Sequence, residues 1–347
     1  MMRQAWRWAL AVLAITGTAS AVAAPPKPLF ASSEMLHLTL MAPVGMLAGP
    51  ADAKRVIDGT LSVGGPAPET LPVNLSARGI TRRAHDVCQF PPIRVEFPQK
   101  PGLGSLFKGQ KKLKLVTHCR AAPGFQQYVL LEYAAYRLYN TLTPQSFAAR
   151  LATIDYVDAG GRPITTRLGF FIEDADDMAK RNDLREYKTK ARIPVATLPP
   201  REAARFAVFE YMIGNLDWAM TAGPAGTDCC HNSRLIAPEG ATAGFVPVPY
   251  DFDFAGLVDT PYAVSPNEIP LPSVRTRRYR GFCRHNDEAR AVIAELVAKR
   301  SALLAVLDGI PQLEDKTRRK AMGYLGSFFD QVGSDADINS KLFKTCV

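Results

Sequence analysis

Beyond its first 24 residues the chain has no hydrophobic run approaching the roughly 20 residues that a membrane-spanning helix needs. It has no zinc-finger spacing, no helix-turn-helix signature and no aromatic RNA-binding box, so the common nucleic-acid modules have no carrier. No GxSxG elbow, Walker lysine loop or HExxH helix occurs, which removes the usual serine-hydrolase, P-loop and zincin chemistries. A glycine-rich GxGxxG loop is missing too, and Gly102-Leu103-Gly104 is only a fragment of one. Histidine is scarce, at five residues, and no second metal-spaced histidine accompanies His231; His285 is isolated and reads as structural. There is no internal repeat and no low-complexity tract.

What is present begins with an export pattern. Arg3 and Arg7 precede the apolar stretch Trp8 to Ile15 and then the small-residue run Ala19-Ser20-Ala21-Val22-Ala23-Ala24, so residues 1–24 are expected to be a cleaved signal peptide, placing the protein in the periplasm or outside the cell. The net charge of +9 drops to +7 without that segment, which carries two arginines and no acid. The remaining basicity lies in short groups such as Lys108 to Lys114 and Arg275 to Arg280. That pattern suits a phosphorylated ligand or an envelope surface better than a nucleic-acid groove. The arginine group reads either as a substrate surface or as a solvated loop.

Six cysteines follow the export signal, where disulfides form. Cys88 and Cys119 flank neighbouring strand-like runs and are expected to pair. Cys283 is expected to take one of the adjacent Cys229 and Cys230, leaving the other for Cys346.

The chain changes character near residue 125. Leu36 to Leu40, Leu71 to Ala77, Ile93 to Phe97 and Leu113 to Thr117 read as strands separated by Gly and Pro. Gln126 to Leu142 has helical periodicity, and Ala152 to Val157 and Thr166 to Ile172 flank the turn Asp158-Ala159-Gly160-Gly161. Helices are expected over Asp174 to Arg181, Pro200 to Ile213, Asp287 to Leu307 and Glu314 to Val332, with a long irregular stretch at 214–286. The resulting expectation is an α+β protein of about 320 mature residues in two lobes: a β-rich N-terminal lobe with one long helix, 25–173, and a mainly helical C-terminal lobe, 174–347, that carries the catalytic loops.

The irregular stretch holds the chemistry. Gly214-Asn215-Leu216-Asp217-Trp218 is followed by His231-Asn232 and then by Tyr250-Asp251-Phe252-Asp253-Phe254-Ala255-Gly256. Phosphoryl transfer needs an acid to orient the attacking hydroxyl, and an Asn and an Asp to hold a divalent ion against the phosphates. In that order Asp217 is the candidate base, and Asn232 with Asp251 or Asp253 the candidate ligands of Mg2+ or Mn2+. Lys114 lies in the strand Lys112-Leu113-Lys114-Leu115-Val116, and Glu132 lies 18 residues on, on the apolar stripe of the next helix. A carboxylate there needs a cation, and a strand lysine paired with a helix glutamate is how kinases hold the α and β phosphates. Lys112 is the substitute for Lys114.

From about Leu71 to Gly281 the chain resembles the CotH-like family of secreted atypical kinases. The resemblance rests on Ala77-Arg78-Gly79 after a strand, the helix around Glu132, Gly169-Phe170-Phe171-Ile172-Glu173, and Pro249-Tyr250-Asp251-Phe252-Asp253. More loosely it is similar to the HipA and phosphoinositide-kinase branches of the kinase-like fold. The resemblance implies a bilobal protein-kinase-like fold with ATP between the lobes, Arg78 and Gly79 over the phosphates and Phe171 to Glu173 beside the adenine. The implied partners are the nucleotide and an unknown phospho-acceptor, with no nucleic acid and no stable membrane insertion. The chain departs from the family where Trp218 follows Asp217, where a cysteine-containing insertion precedes Asn232, and where Pro91-Pro92 replaces a lysine pair. Two other readings stay open: a non-catalytic envelope binding protein on the same scaffold, and a metal-dependent hydrolase using Asp217, His231, Asp251 and Asp253.

Overall fold

The computed structural model describes residues 25–47, 55–65, 67–224 and 226–347; the expected signal peptide, 1–24, lies outside them. Seven strands, β1 (Leu36–Met41), β2 (Val56–Val63), β3 (Glu69–Ala77), β4 (Ile93–Glu96), β5 (Lys112–Val116), β6 (Ala149–Val157) and β7 (Pro163–Ile172), form a closed barrel in the order β1-β2-β3-β4-β5-β7-β6. All neighbours are antiparallel except the pair that closes it: β1 runs parallel to β6, from Leu36 opposite Ala152 to Met41 opposite Val157. Strand periodicity sorts the side chains. Leu36, Leu38 and Leu40 of β1 turn inward with Leu75, Val95 and Leu113, while adjacent residues of β7 part company: Phe171 enters the barrel core and Phe170 packs against the helices. At Gly169 a Cβ would stand 2.7 Å from the carbonyl oxygen of Val116, so only glycine lets β7 cross β5 this closely.

The barrel corrects one expectation. The protein is α+β, but the strands do not form the N-terminal lobe of a bilobal kinase fold set against a mainly helical lobe; they close on themselves. The physical reason is the β1–β6 seam, which joins residues more than 100 positions apart and so leaves no periodic trace in the sequence.

The helix α1 (Phe125–Asn140), inserted between β5 and β6, lies on the outer face of β6 and β7 and shares a core with α2 (Ala175–Arg181), α3 (Pro200–Ile213), α4 (Asn286–Ala298), α5 (Arg300–Asp308) and α6 (Asp315–Gln331). α3 starts on Pro200, whose missing N–H is harmless in a first turn. The helix expected over Asp287 to Leu307 is interrupted at Lys299, which leaves helical geometry between α4 and α5. Within the irregular stretch two strands form, β9 (Ser233–Ala237) and β10 (Val246–Pro249), and join β8 (Arg185–Tyr187) in a three-stranded sheet of order β10-β9-β8.

All six cysteines are bonded. Cys88–Cys119 forms as expected, but the other expected pairing is corrected: Cys283 bonds Cys346, tying the chain's end to the segment before α4, and Cys229 bonds Cys230. Three disulfides suit an oxidising compartment. No helix among the described residues is long and apolar enough to cross a membrane.

Candidate functional site

Three chain segments deliver the acids to one place. α3 stops at Gly214 in the left-handed conformation (φ 70°), where a Cβ would lie 1.9 Å from the Tyr324 hydroxyl, and its N–H caps the carbonyls of Glu210 and Tyr211. The Asn215 side chain then accepts from the Asp217 N–H at 3.0 Å, which turns the Asp217 carboxylate outward from the helix end. The antiparallel pairing of β9 with β10 sets Pro249 opposite Ser233, so Asn232 and Asp251, 19 residues apart in sequence, flank the same end of the ladder. Both have left-handed backbones (φ 46° and 67°), a conformation that Asn and Asp tolerate and that clusters at functional sites. Asn232 Nδ2 donates to the Asp217 carboxylate at 2.9 Å and to its carbonyl at 2.7 Å. His231 Nε2 meets the other Asp217 oxygen at 2.6 Å, and that hydrogen bond raises the imidazole's pKa.

These groups open onto a cavity of about 640 Å³ between the barrel end and the helical part, lined by Asp217, Asn232, Asp251 and Asp253 and also by Arg78, Gly79, Lys114 and Arg234. The acidic floor is organised by a residue that sequence reasoning missed. Arg82, on a single 3-10 turn at Thr81–Arg83, reaches Glu132 with Nη1 (3.0 Å), Asp251 with Nη2 (2.8 Å) and Asp253 with Nε (3.1 Å). Burial raises the Asp253 carboxyl to about 8 despite Arg82, with Asp251 and Glu132 adding repulsion; burial raises Glu132 as well. Burial acts in the same direction on Asp251, but Arg82, Arg78 and Lys114 outweigh it and hold that carboxyl below its usual value. Glu132 and Tyr136, one turn apart on α1, both serve this floor: the Tyr136 hydroxyl accepts from the Asp251 N–H at 2.9 Å.

The cations of the lining leave donors unspent. Lys114 Nζ stands 4.4 Å from the centre of the Tyr250 ring and makes no ion pair among the described residues. Burial first, then repulsion from Arg78 and Arg234, pushes its pKa down to about 7. Arg234 donates to the Tyr250 hydroxyl at 3.2 Å and pairs with Glu186 at 3.8 Å, yet its Nε, like Nε and Nη2 of Arg78, is buried without a hydrogen-bond partner among the described residues. Three neighbouring cations with donors unspent give this part of the cavity a positive field.

Of the residues singled out from sequence, Asp217, Asn232, Asp251, Asp253, Arg78, Gly79 and Lys114 line this cavity, and Glu132 sits behind it. The expected Lys114–Glu132 pair does not form; Arg82 takes Glu132, and Lys114 faces Tyr250 instead. Phe171 and Glu173 do not reach the cavity. Strand alternation turns Phe171 into the barrel, edge-on to Phe107, and Glu173 is bound by Arg181 at 3.0 Å and by the Ala148 N–H at 2.9 Å. The arginine group 275–280 is largely an internal brace: Arg280 donates to the carbonyls of Leu216 and Trp218, and Arg277 to that of Met212, so the loop carrying Asp217 is held from behind. Arg82 and Arg234 had no sequence signal beyond the clustering of basic residues; the 132/136 spacing on α1 was the one available hint to Tyr136.

The donor set fits Mg2+ or Mn2+. The expected ligands Asn232, Asp251 and Asp253 all line the cavity and offer oxygen donors, and the carboxylates of Asp251 and Asp253 lie within 4.8 Å of each other.

No family model matches the chain, and no curated protein matches its sequence. Among solved structures, the proinflammatory kinase CtkA of Helicobacter pylori is similar at 8% identity over 73% of this chain and 92% of its own, with a TM-score of 0.38, a likeness too distant to define the fold. None of these comparisons supports the CotH-like family.

Proposed function

We propose that the cavity is a phosphotransfer site that takes a nucleoside triphosphate, ATP in the simplest case, and passes its terminal phosphate to a hydroxyl of an envelope protein or small molecule. One observation carries the reading: an acid, an asparagine and a second acid line the same cavity as Arg78, Lys114 and Arg234, and Arg78 and Arg234 keep buried N–H groups without a hydrogen-bond partner among the described residues. Arg78, Lys114 and Arg234 bind and orient the phosphate chain, which supplies the acceptors their buried donors lack. Asp217 accepts the proton of the attacking hydroxyl, and Asn232 and His231 hold its carboxylate in place for that step. Asn232 and Asp251 would hold a divalent ion, which when bound neutralises phosphate charge. The hydrolase alternative gains little support, because the one histidine at the site, His231, is already engaged by Asp217.

The test is incubation of the purified protein with γ-labelled ATP and Mg2+ or Mn2+, comparing wild type with Asp217→Asn and Asp251→Asn and measuring both transferred label and released phosphate. Loss of a general base is expected to cut turnover by about 10²–10⁴-fold. Equal turnover in all three proteins removes the assignment.

A further inference from the structure

The floor of the cavity is a carboxylate cluster that already contains a cation. Oxygens of Glu132, Asp251 and Asp253 lie within 4.8 Å of one another, close enough to share one oxygen-liganded ion. Arg82 contacts each of the three through a different nitrogen. It does not exhaust them. Oε1 of Glu132, a residue only 2% exposed, is buried with no hydrogen-bond partner among the described residues, because the guanidinium reaches Glu132 through Nη1 to the other oxygen alone. A planar fork cannot surround its ligands as a metal ion does, so one buried acceptor is left over.

Arg82 arrives from outside the framework that carries the acids. Glu132 belongs to α1, and Asp251 and Asp253 follow β10, whereas Arg82 comes from the β3–β4 connection, whose neighbouring Ile80 is 74% exposed. The Cys88–Cys119 disulfide fastens that connection to the segment after β5, so the arginine is delivered by a covalently anchored loop.

We infer that Arg82 is a tethered cation standing in a divalent-ion site made by Glu132, Asp251 and Asp253, and that without its guanidinium this site binds an ion. Arg82 is thus a positioning residue. It keeps Glu132 and Asp253 from metal and leaves Asp251 to face the cavity beside Asn232. Only this consequence rests on the phosphotransfer reading, under which the working site holds a single exchangeable ion. A guanidinium neither dissociates nor yields to a chelator, so the floor stays assembled whether or not that ion is bound.

The test is a count of bound Mn2+ by electron paramagnetic resonance titration and native mass spectrometry on the full chain. Arg82→Met is expected to bind one more Mn2+ than wild type, and Arg82→Met combined with Glu132→Gln to lose it again. Equal counts for wild type and Arg82→Met overturn the inference. If Arg82→Met does not fold, Glu132→Gln alone decides: an unchanged count is expected, because Arg82 and not an ion occupies that carboxylate, and the loss of one ion overturns it. The wild-type count reads the proposed function separately. No ion in wild type with one in Arg82→Met keeps the inference and removes metal-assisted phosphotransfer; one ion in both does the reverse.

Discussion

The barrel interior and the buried residues of the cavity floor are held by opposite means. Inside the barrel, Leu38, Leu75, Val95, Phe107 and Phe171 belong to one apolar cluster, and each contributes through the area it removes from water. At the floor, Arg82, Glu132 and Asp253 are also buried, but each is tolerable only because the others are present. The lesson is one of interchangeability. A barrel residue can be replaced by another of similar volume at modest cost, whereas a floor residue has no neutral substitute that leaves its partners satisfied. A charged floor does little for stability and much for ligand chemistry, because the field it creates is what a phosphate or a cation meets.

Three substitutions sharpen this contrast, and the largest effect belongs to the barrel. Phe171→Ala removes a fully buried ring and is expected to lower stability by about 3–5 kcal/mol, measured by urea unfolding. Its folded fraction should bind ATP with wild-type affinity, since Phe171 lies away from the cavity. A marked loss of affinity would return the ring to the site and erase the contrast.

The second change acts on the cations of the cavity lining. Lys114→Met should weaken triphosphate binding about tenfold at pH 6, or about 1.4 kcal/mol, with little effect on unfolding. The pH dependence has a definite sign. The Lys114 ammonium is present below its folded pKa of about 7 and lost above it, so wild-type affinity should fall as the pH rises through that range while Lys114→Met stays low and flat. Parallel wild-type and mutant profiles by calorimetry would mean that Lys114 does not face the phosphates.

The smallest effect tests a buried acid that makes no ion pair among the described residues. Glu210, in the last turn of α3, is fully buried, and burial pushes its pKa well above the usual range against the opposing influence of Asn215 and Arg280. A carboxyl whose folded pKa is raised loses its proton first in the unfolded chain, so it lowers stability progressively as the pH climbs above the ordinary carboxylate value. Glu210→Gln is therefore expected to stabilise the protein at pH 8 by on the order of 1 kcal/mol, with the gain vanishing near pH 4. A destabilised mutant at pH 8 would show that the carboxylate has a partner there.

Local structure was legible where periodicity is strong. α1 and α3, the β6–β7 hairpin with its turn at 158–161, and four of the barrel strands follow from apolar spacing and turn chemistry. β2 was missed because its inward positions, Ile57 and Leu61, are separated by Asp58, Gly59 and Thr60, which breaks the alternation. Gly59 is there for contact, since a Cβ would stand 2.7 Å from the carbonyl oxygen of Met41. At the site, the order of Asp217, Asn232 and Asp251 was readable, because turn-forming acids and amides at chain reversals leave a local signature. Arg82 was not, since an arginine on an irregular loop looks the same whether it faces water or three carboxylates.

By itself the order of residues determined most of the long helices, six of the seven barrel strands and which loops carry acids, because those properties depend on neighbours within a few positions. Tertiary structure alone decided that the sheet closes through β1 and β6, that Cys283 meets Cys346, and that Arg82 rather than Lys114 answers Glu132. Each of these joins residues roughly 50 or more positions apart. Which distant partner wins is settled by packing and by the need to neutralise buried charge, and no short-range pattern encodes that competition.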